Sequence, residues 1–317
     1  MSTGSQTRVI LVTLSTGKQG SAVVRALADL NEAHSGSSAQ DLKFLILACT
    51  RDASPSNPKA VELSGLKGVK MLETPYRPAE IFKRADELLE KEALESGKIS
   101  AVFSVQQGLD NKEGGLQMEM EQGKGMADEA SKRAQSMDLF VYSSVDFGGI
   151  NPTPCDHFES KRTIEDYIKS AHADLPLTIL RPVFFADNIA DYGYSGKLFV
   201  AALNGCVKDK LQMIACKDIG IFASKAIEDP SGWKGRTLSL AGDYLSPKEM
   251  ASQFKEVKGS ALPATSSLLG FGLVKSVPPL RIMFNFFNDP GFKADIEECR
   301  SIHPGLQSWK DYVQDKW

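Results

Sequence analysis

The sequence predicts an α/β fold, a doubly wound parallel sheet with a smaller, mainly helical C-terminal lobe. Three observations predict it. Short apolar runs alternate with longer helix-like stretches from the N-terminus to about residue 182. The runs are continuous rather than alternating, as expected of strands covered on both faces by crossover helices. The first run feeds a short glycine-bearing turn that opens a helix-like stretch, the layout of a phosphate-binding turn.

The strand-like runs are Val9–Leu14, Phe44–Cys49, Val69–Leu72, Ala101–Val105, Phe140–Ser144 and Leu177–Leu180. Each is short, apolar and rich in β-branched or aromatic residues. Helix-like stretches lie between them, among them Pro78–Leu94 and Gln117–Ser136. Clusters of Gly, Pro, Ser and Asn mark loops at Ala33–Gln40, Ser54–Pro58 and Gly148–Pro154. From about residue 183 the alternation fades. The apolar stretch "SLLGFGLVKSVPPLRIMFNFF" (267–287) has no clean strand period and is read as part of a helical lobe covering a cleft.

Composition bounds the function. The chain has 317 residues, 42% hydrophobic and 24% charged, with a net charge of −3 and a pI near 5.9. That balance is globular and lacks the basic footprint of a nucleic-acid-binding protein. Five scattered cysteines form no C-x-x-C pair, and the four histidines no H-E-x-x-H, so neither a disulfide framework nor a metal site is expected. No apolar run approaches the roughly 18–20 residues of a membrane span, and the polar "MSTGSQTR" start has no signal-peptide core. A reducing cytoplasmic setting is expected, with the nucleus as an alternative.

The turn "LSTGKQG" (14–20) fits G-x-x-G-x-x-G except at Leu14. Gly17 and Gly20 suit backbone approach to a pyrophosphate and close helix–strand packing, and the helix N-terminus offers free N–H groups. Positive φ is costly for a bulky side chain, so Leu14 is expected at negative φ in a slightly wider turn. Thr16, Lys18 and Gln19 add polar groups. A P-loop is excluded, because no glycine stands five residues before Gly17 and Gln19 replaces Ser/Thr. A fingerprint this degenerate also fits an ordinary βα turn. The second run ends "LACTRD", placing Arg51 past its C-terminal edge. An acidic residue there would bind the ribose 2′-OH of NAD, whereas arginine suits the 2′-phosphate of NADP(H). The alternative for Arg51 is a solvated surface residue, and Asp52 stands beside it.

These pieces resemble the NmrA-like family, atypical members of the short-chain dehydrogenase/reductase superfamily. The resemblance rests on "STGKQGSAVVRAL" (15–27), "CTRD" (49–52), "EQGKGMADEA" (121–130), "LFVYSSV" (139–145), "HFESK" (157–161), "LTILRPVFFADN" (177–188), "KDIGIFASKAIEDPSGWKGRTLSLAGDYLSPKEM" (217–250) and "HPGLQSW" (303–309). It implies a Rossmann domain over 1–182, completed by about 212–242, and a substrate or partner lobe from 183–211 and 243–317. NADP(H) would lie between them. Two departures stand out: Leu14, and "LETPYRP" (72–78) where the family has a G-D after the third strand.

The resemblance also implies where catalysis would occur. The superfamily uses a tyrosine four residues before a lysine, with a serine upstream. Here those positions hold His157 and Lys161, with Ser143 or Ser144 as the serine; the tyrosine is missing. Residues i and i+4 share a helix face, so His157 and Lys161 are expected to point the same way. His157 has the ordinary pKa of a proton donor, or is a helix-start residue without chemistry. Lys161 would bind the nicotinamide ribose or act as the acid. Gln106 and Gln107 end the fourth run, where the cofactor would pass, and Asn188 lies in the F-x-[ED]-N pattern at the nicotinamide end. Lys124 is expected to face cleft or solvent, and Cys155 to be a reactive thiol or an incidental loop residue. Two functions follow. One is an NADPH-dependent reductase of a small apolar carbonyl or conjugated compound. The other is a catalytically silent NADP(H) sensor controlling a partner protein. Monomer and homodimer both remain open.

Overall fold

The computed structural model describes residues 7–34, 43–91, 98–107, 115–190 and 193–317. The predicted runs become β1 (Arg8–Val12), β2 (Phe44–Thr50), β3 (Val69–Glu73), β4 (Ile99–Ser104), β5 (Leu139–Ser143) and β6 (Leu177–Pro182). They are crossed by α1 (Lys18–His34), α2 (Pro58–Ser64), α3 (Pro78–Lys91), α4 (Gly115–Ser131) and α5 (Asp156–Ala171). The strands from β1 to β6 pair in parallel. With a later strand, β9 (Thr237–Leu240), they form a seven-stranded sheet of order β3-β2-β1-β4-β5-β6-β9. The order reverses beside β1, the switch point that leaves a crevice at the C-terminal ends of β1 and β4.

The rest of the chain holds β7 (Phe184–Phe185), α6 (Asp187–Ala190), α7 (Tyr194–Cys206), β8 (Leu211–Ile214), α8 (Cys216–Glu228), α9 (Pro230–Trp233), β9 (Thr237–Leu240) and β10 (Asp243–Leu245). It closes with α10 (Pro247–Lys258), α11 (Ser267–Ser276), α12 (Pro278–Asn288), α13 (Ile296–Ile302) and α14 (Trp309–Lys316). The apolar stretch 267–287 is helical, as expected, and forms α11 and α12. The lobe also holds a small three-stranded sheet, β10-β8-β7, which sequence reading did not anticipate. Among the described residues no single helix is long and apolar enough to cross a membrane.

The chain divides into two compact units. Unit 1 comprises residues 1–144, 160–180 and 219–237; unit 2 comprises 145–159, 181–218 and 238–317. Unit 1 is built around continuous apolar strands: every residue of β2 is buried, and Phe82, Ile81 and Ala85 of α3 pack into the same core. Asn31 is its one buried polar residue on α1. Its amide donates to the carbonyls of Phe44 and Lys67 at 2.9 Å and accepts from the Phe44 N–H at 2.8 Å, tying α1 to the start of β2. The polar stretch Ala33–Gln40 lies outside the described residues from 35 onward.

Unit 2 is anchored by acidic side chains. The Asp146 carboxylate accepts from the N–H groups of Gly148 and Lys293 at 2.9 Å and from Ser239 Oγ at 2.6 Å. Asp218 receives the Gln307 N–H and contacts His303 Nε2 at 3.1 Å, while Asp243 receives the Trp309 N–H at 2.9 Å. These bonds explain the paired motifs "KDIG" and "HPGLQSW": the first holds the second. In unit 1, Gly220 of the same motif lets α8 approach α1, since a Cβ there would lie 2.4 Å from the Ala22 carbonyl oxygen.

Candidate functional site

The glycine turn closes differently from expectation. Leu14 has φ +47, and it is the one non-glycine residue with positive φ among those described. The turn has not widened. The Gly17 N–H donates to the Leu14 carbonyl at 2.8 Å, and the Ser15 N–H donates to Cys49 at 2.8 Å. These bonds fix both sides of the Leu14 peptide and hold it in the left-handed region, at a cost of order 1–3 kcal/mol. Gly20 then passes so close that a Cβ would sit 2.2 Å from the Leu14 oxygen. Gly20 performs the close-packing role expected of it, and the side chain that Leu14 brings to the first glycine position is accommodated by strain.

Around this turn the predicted polar residues take distinct positions. Thr16 Oγ1 lies 3.2 Å from Thr50 Oγ1 at the end of β2. Lys18 begins α1 and is half-buried. Gln19 accepts a 2.6 Å hydrogen bond from Ser143 Oγ, which joins the start of α1 to the end of β5. Ser144 is the next residue. Its hydroxyl is buried and has no hydrogen-bond partner among the described residues, and the same is true of Gln106 Oε1. The Gln106 amide nitrogen donates to Ser104 Oγ at 2.8 Å and to Tyr76 Oη at 3.0 Å.

Arg51 is exposed just past β2. It lines an open pocket with Leu14, Tyr76, Gln107, Gly115, Met118 and Gln122. Asp52 does not compete for this pocket's ligand through its carboxylate. That group accepts the Ser54 N–H at 2.9 Å in a local turn, and hydrogen bonds from Ser54 hold it below the usual carboxylate range. Tyr76 fills the place of the missing G-D. Its hydroxyl donates to the Val105 carbonyl at 2.9 Å, and burial pushes the phenol well above its ordinary range.

Lys161 meets a partner that sequence reading missed. Its ammonium lies 2.7 Å from Glu119 Oε1, and Ser160 Oγ donates to Glu119 Oε2 at 2.6 Å. Glu119 is fully buried. The signal was readable: Glu119 stands four residues before Gly123 and seven before Met126, on the buried face of α4. Lys124, expected to face cleft or solvent, is half-buried and places its ammonium 5.2 Å from the Tyr167 ring centroid.

His157 and Asn188 belong to unit 2. His157 stands one turn before Lys161 on α5, half-buried, with its ring edge-on to Phe158 at 4.5 Å. Asn188 sits half-buried in α6, next to Asp187, which accepts the Cys216 N–H at the start of α8 at 2.8 Å. Cys155 is an inert loop thiol: it is 1% exposed, and burial first, then Asp156 and Glu159, push it up to about 12.

The sequence model of the NmrA-like family matches residues 6–304. The chain belongs to the NmrA-like family. No curated protein matches it significantly. Among solved structures, NmrA, a negative transcriptional regulator, in complex with NADP is 18% identical, with a TM-score of 0.67 over 98% of this chain and 95% of that one. The same regulator in complex with NAD is equally similar. Triphenylmethane reductase of Citrobacter sp., complexed with NADP(H), is 13% identical with a TM-score of 0.69, covering 98% of this chain and 100% of that one. At these identities the likeness establishes an NmrA-like, NAD(P)-binding type of fold. The neighbours include both a regulator and a reductase.

Proposed function

We propose that the protein binds NADP(H) along the C-terminal edge of the unit 1 sheet and uses NADPH to reduce a small apolar carbonyl or conjugated compound. One observation carries the cofactor assignment. Arg51 is exposed on the rim of the pocket beside the glycine turn, while the neighbouring Asp52 carboxylate is turned into its own loop. A guanidinium so placed suits a 2′-phosphate. The unpartnered Ser144 hydroxyl and Gln106 Oε1 fit a polar ligand passing the ends of β5 and β4. The bound cofactor would supply a hydride. Arg51 would hold the 2′-phosphate, the N–H groups at the start of α1 the pyrophosphate, and Lys161 the nicotinamide ribose. His157 would donate the proton to the substrate oxygen.

The second reading is a catalytically silent NADP(H)-responsive regulator. It is favoured by the absent tyrosine and by the prior engagement of Ser143 with Gln19 and of Lys161 with Glu119. Four of the five cysteines are buried, so a redox response in either reading is assigned to the nucleotide and not to a thiol.

Calorimetric titration of NADPH and NADH into the wild type and Arg51→Ala tests the cofactor. NADPH is expected to bind more tightly to the wild type, and Arg51→Ala to lose about 1.5–3 kcal/mol toward NADPH only. Equal affinities in the wild type would remove the assignment. Chemistry is tested by NADPH oxidation over a carbonyl and enone panel. His157→Phe is expected to lower turnover about 10²–10⁴-fold with NADPH affinity kept. Binding without turnover on any compound selects the regulator.

A further inference from the structure

We propose that Glu119 is the positioning residue for Lys161: it fixes the ammonium at the nucleotide site. The proposal rests on the reading that Lys161 binds the nicotinamide ribose. Glu119 is 0% exposed, and both of its oxygens are engaged, one by Lys161 Nζ at 2.7 Å and one by Ser160 Oγ at 2.6 Å. A carboxylate buried this completely is retained only where its charge is paired. The Lys161 side chain keeps 17% exposure, so the cation reaches outward while its counterion does not.

Helix packing sets this geometry. Gly123 stands four residues beyond Glu119 on α4, and Ile164 four residues beyond Ser160 on α5. A Cβ on Gly123 would lie 2.5 Å from Ile164 Cδ1. The glycine therefore lets the two helices close, and one turn back the same approach brings Glu119 to Ser160 and Lys161. The pair is built into the interface between α4 and α5 and is not a surface contact made by long flexible chains.

The consequence is chemical. An ammonium has three donors, and the carboxylate uses one, which leaves donors for ribose hydroxyls. Its charge is locally neutralised, so the pair suits a neutral diol better than a phosphate. The neighbouring ionisable groups do not replace Glu119. Tyr142 of β5 is buried and unpartnered, and burial, then Glu119 and Glu165, hold its phenol far above the ordinary range. Glu165, further along α5, lies 3.4 Å from Lys169, and Lys124 of α4 lies against Tyr167. Without Glu119, desolvation of the ammonium would no longer be offset, and the lysine would lose its proton at lower pH.

Two readouts test this on the full chain. The first is the pH dependence of trace acetylation of Lys161, followed by peptide mass spectrometry without nucleotide. The wild type and Glu119→Gln are compared under the same conditions. In Glu119→Gln the midpoint should fall by about one unit or more. The second is NADPH affinity between about pH 6.5 and 9. The wild type should be flat there, whereas Glu119→Gln should weaken as pH rises through the lowered lysine midpoint, with Glu119→Asp in between. Coincident acetylation curves, or a Glu119→Gln affinity that tracks the wild type at every pH, would overturn the proposal. If Glu119→Gln does not fold, Lys161→Met is compared with the Lys161→Met, Glu119→Gln double variant. The double variant should melt higher, because it removes an uncompensated buried carboxylate, and equal melting temperatures would overturn the pairing. A wild type that binds neither NADPH nor NADH would end the functional reading, while the acetylation curves would still decide the role of Glu119.

Discussion

The polar residues at the strand ends of unit 1 and the acidic residues of unit 2 behave in opposite ways. In unit 2 four acidic residues, three of them buried, bind the chain itself. Asp146, Asp187, Asp218 and Asp243 each accept at least one backbone N–H. In unit 1 the polar groups at the ends of β4 and β5 are left incomplete: Ser144 Oγ and Gln106 Oε1 are buried without partners. Nearby, Leu14 is held at positive φ and Arg51 stands exposed. Buried polar groups are ordinarily satisfied, so the two atoms at the strand ends beside the glycine turn are candidate ligand contacts, whereas the four carboxylates serve the scaffold; unit 2 also leaves Gln253 Oε1, Thr265 Oγ1 and Gln307 Oε1 buried without a hydrogen-bond partner among the described residues. Asp218 and Asp243 of the 217–250 motif, with the 303–309 motif, therefore say more about how unit 2 holds together than about what the protein binds.

The largest effect should come from breaking the scaffold. Asp146→Ala removes an acceptor shared by two backbone N–H groups and one hydroxyl, all facing a residue that is 5% exposed. Leaving those donors unmet should cost about 3–5 kcal/mol in chemical denaturation. NADPH affinity of the folded fraction should be unchanged. Loss of affinity at unaltered stability would place Asp146 with the ligand-facing set and erase the contrast between the units.

Ser144→Ala is the converse experiment. No hydrogen-bond partner among the described residues is lost, so stability should change by no more than about 1 kcal/mol, with a gain allowed, since an unmet buried hydroxyl is itself unfavourable. NADPH affinity or turnover should fall. A variant that is strongly destabilised and binds normally would show that the hydroxyl serves the fold.

Much of this was readable before any coordinates. The six N-terminal strands lie where continuous apolar runs predict them, because buried parallel strands leave a long, unambiguous signal. The strands of the second sheet are two to four residues long, too short to show a period against their surroundings. Helix α2 begins at the last residue of the predicted loop Ser54–Pro58 and was not predicted. Its signal was present, since Asn57 caps it by accepting the Ala60 N–H and Pro58 stands at its first turn. At the site, spacing along α5 related His157 to Lys161, but the residue that holds Lys161 comes from α4. Only tertiary packing joins them, and an acidic residue on an otherwise apolar face was the one trace of it.

Leu14 marks where a sound local rule was overridden, and it gives the smallest predicted effect. Sterics argued for negative φ, yet closure of the turn by Gly17 and Cys49 holds the residue at φ +47. Leu14→Gly relieves a strain of order 1–3 kcal/mol. Against that stand the greater backbone entropy of glycine in the unfolded chain, about 0.5–1 kcal/mol, and the loss of a half-buried side chain. The terms nearly cancel, so the melting temperature should move by a few degrees at most, and upward if strain dominates. Because the backbone is already in the conformation glycine favours, NADPH affinity should stay equal or rise. A large loss of affinity with the fold intact would mean that the Leu14 side chain itself, on the pocket wall beside Arg51 and Tyr76, packs against the nucleotide. The departure from the family fingerprint would then be a binding feature of this chain.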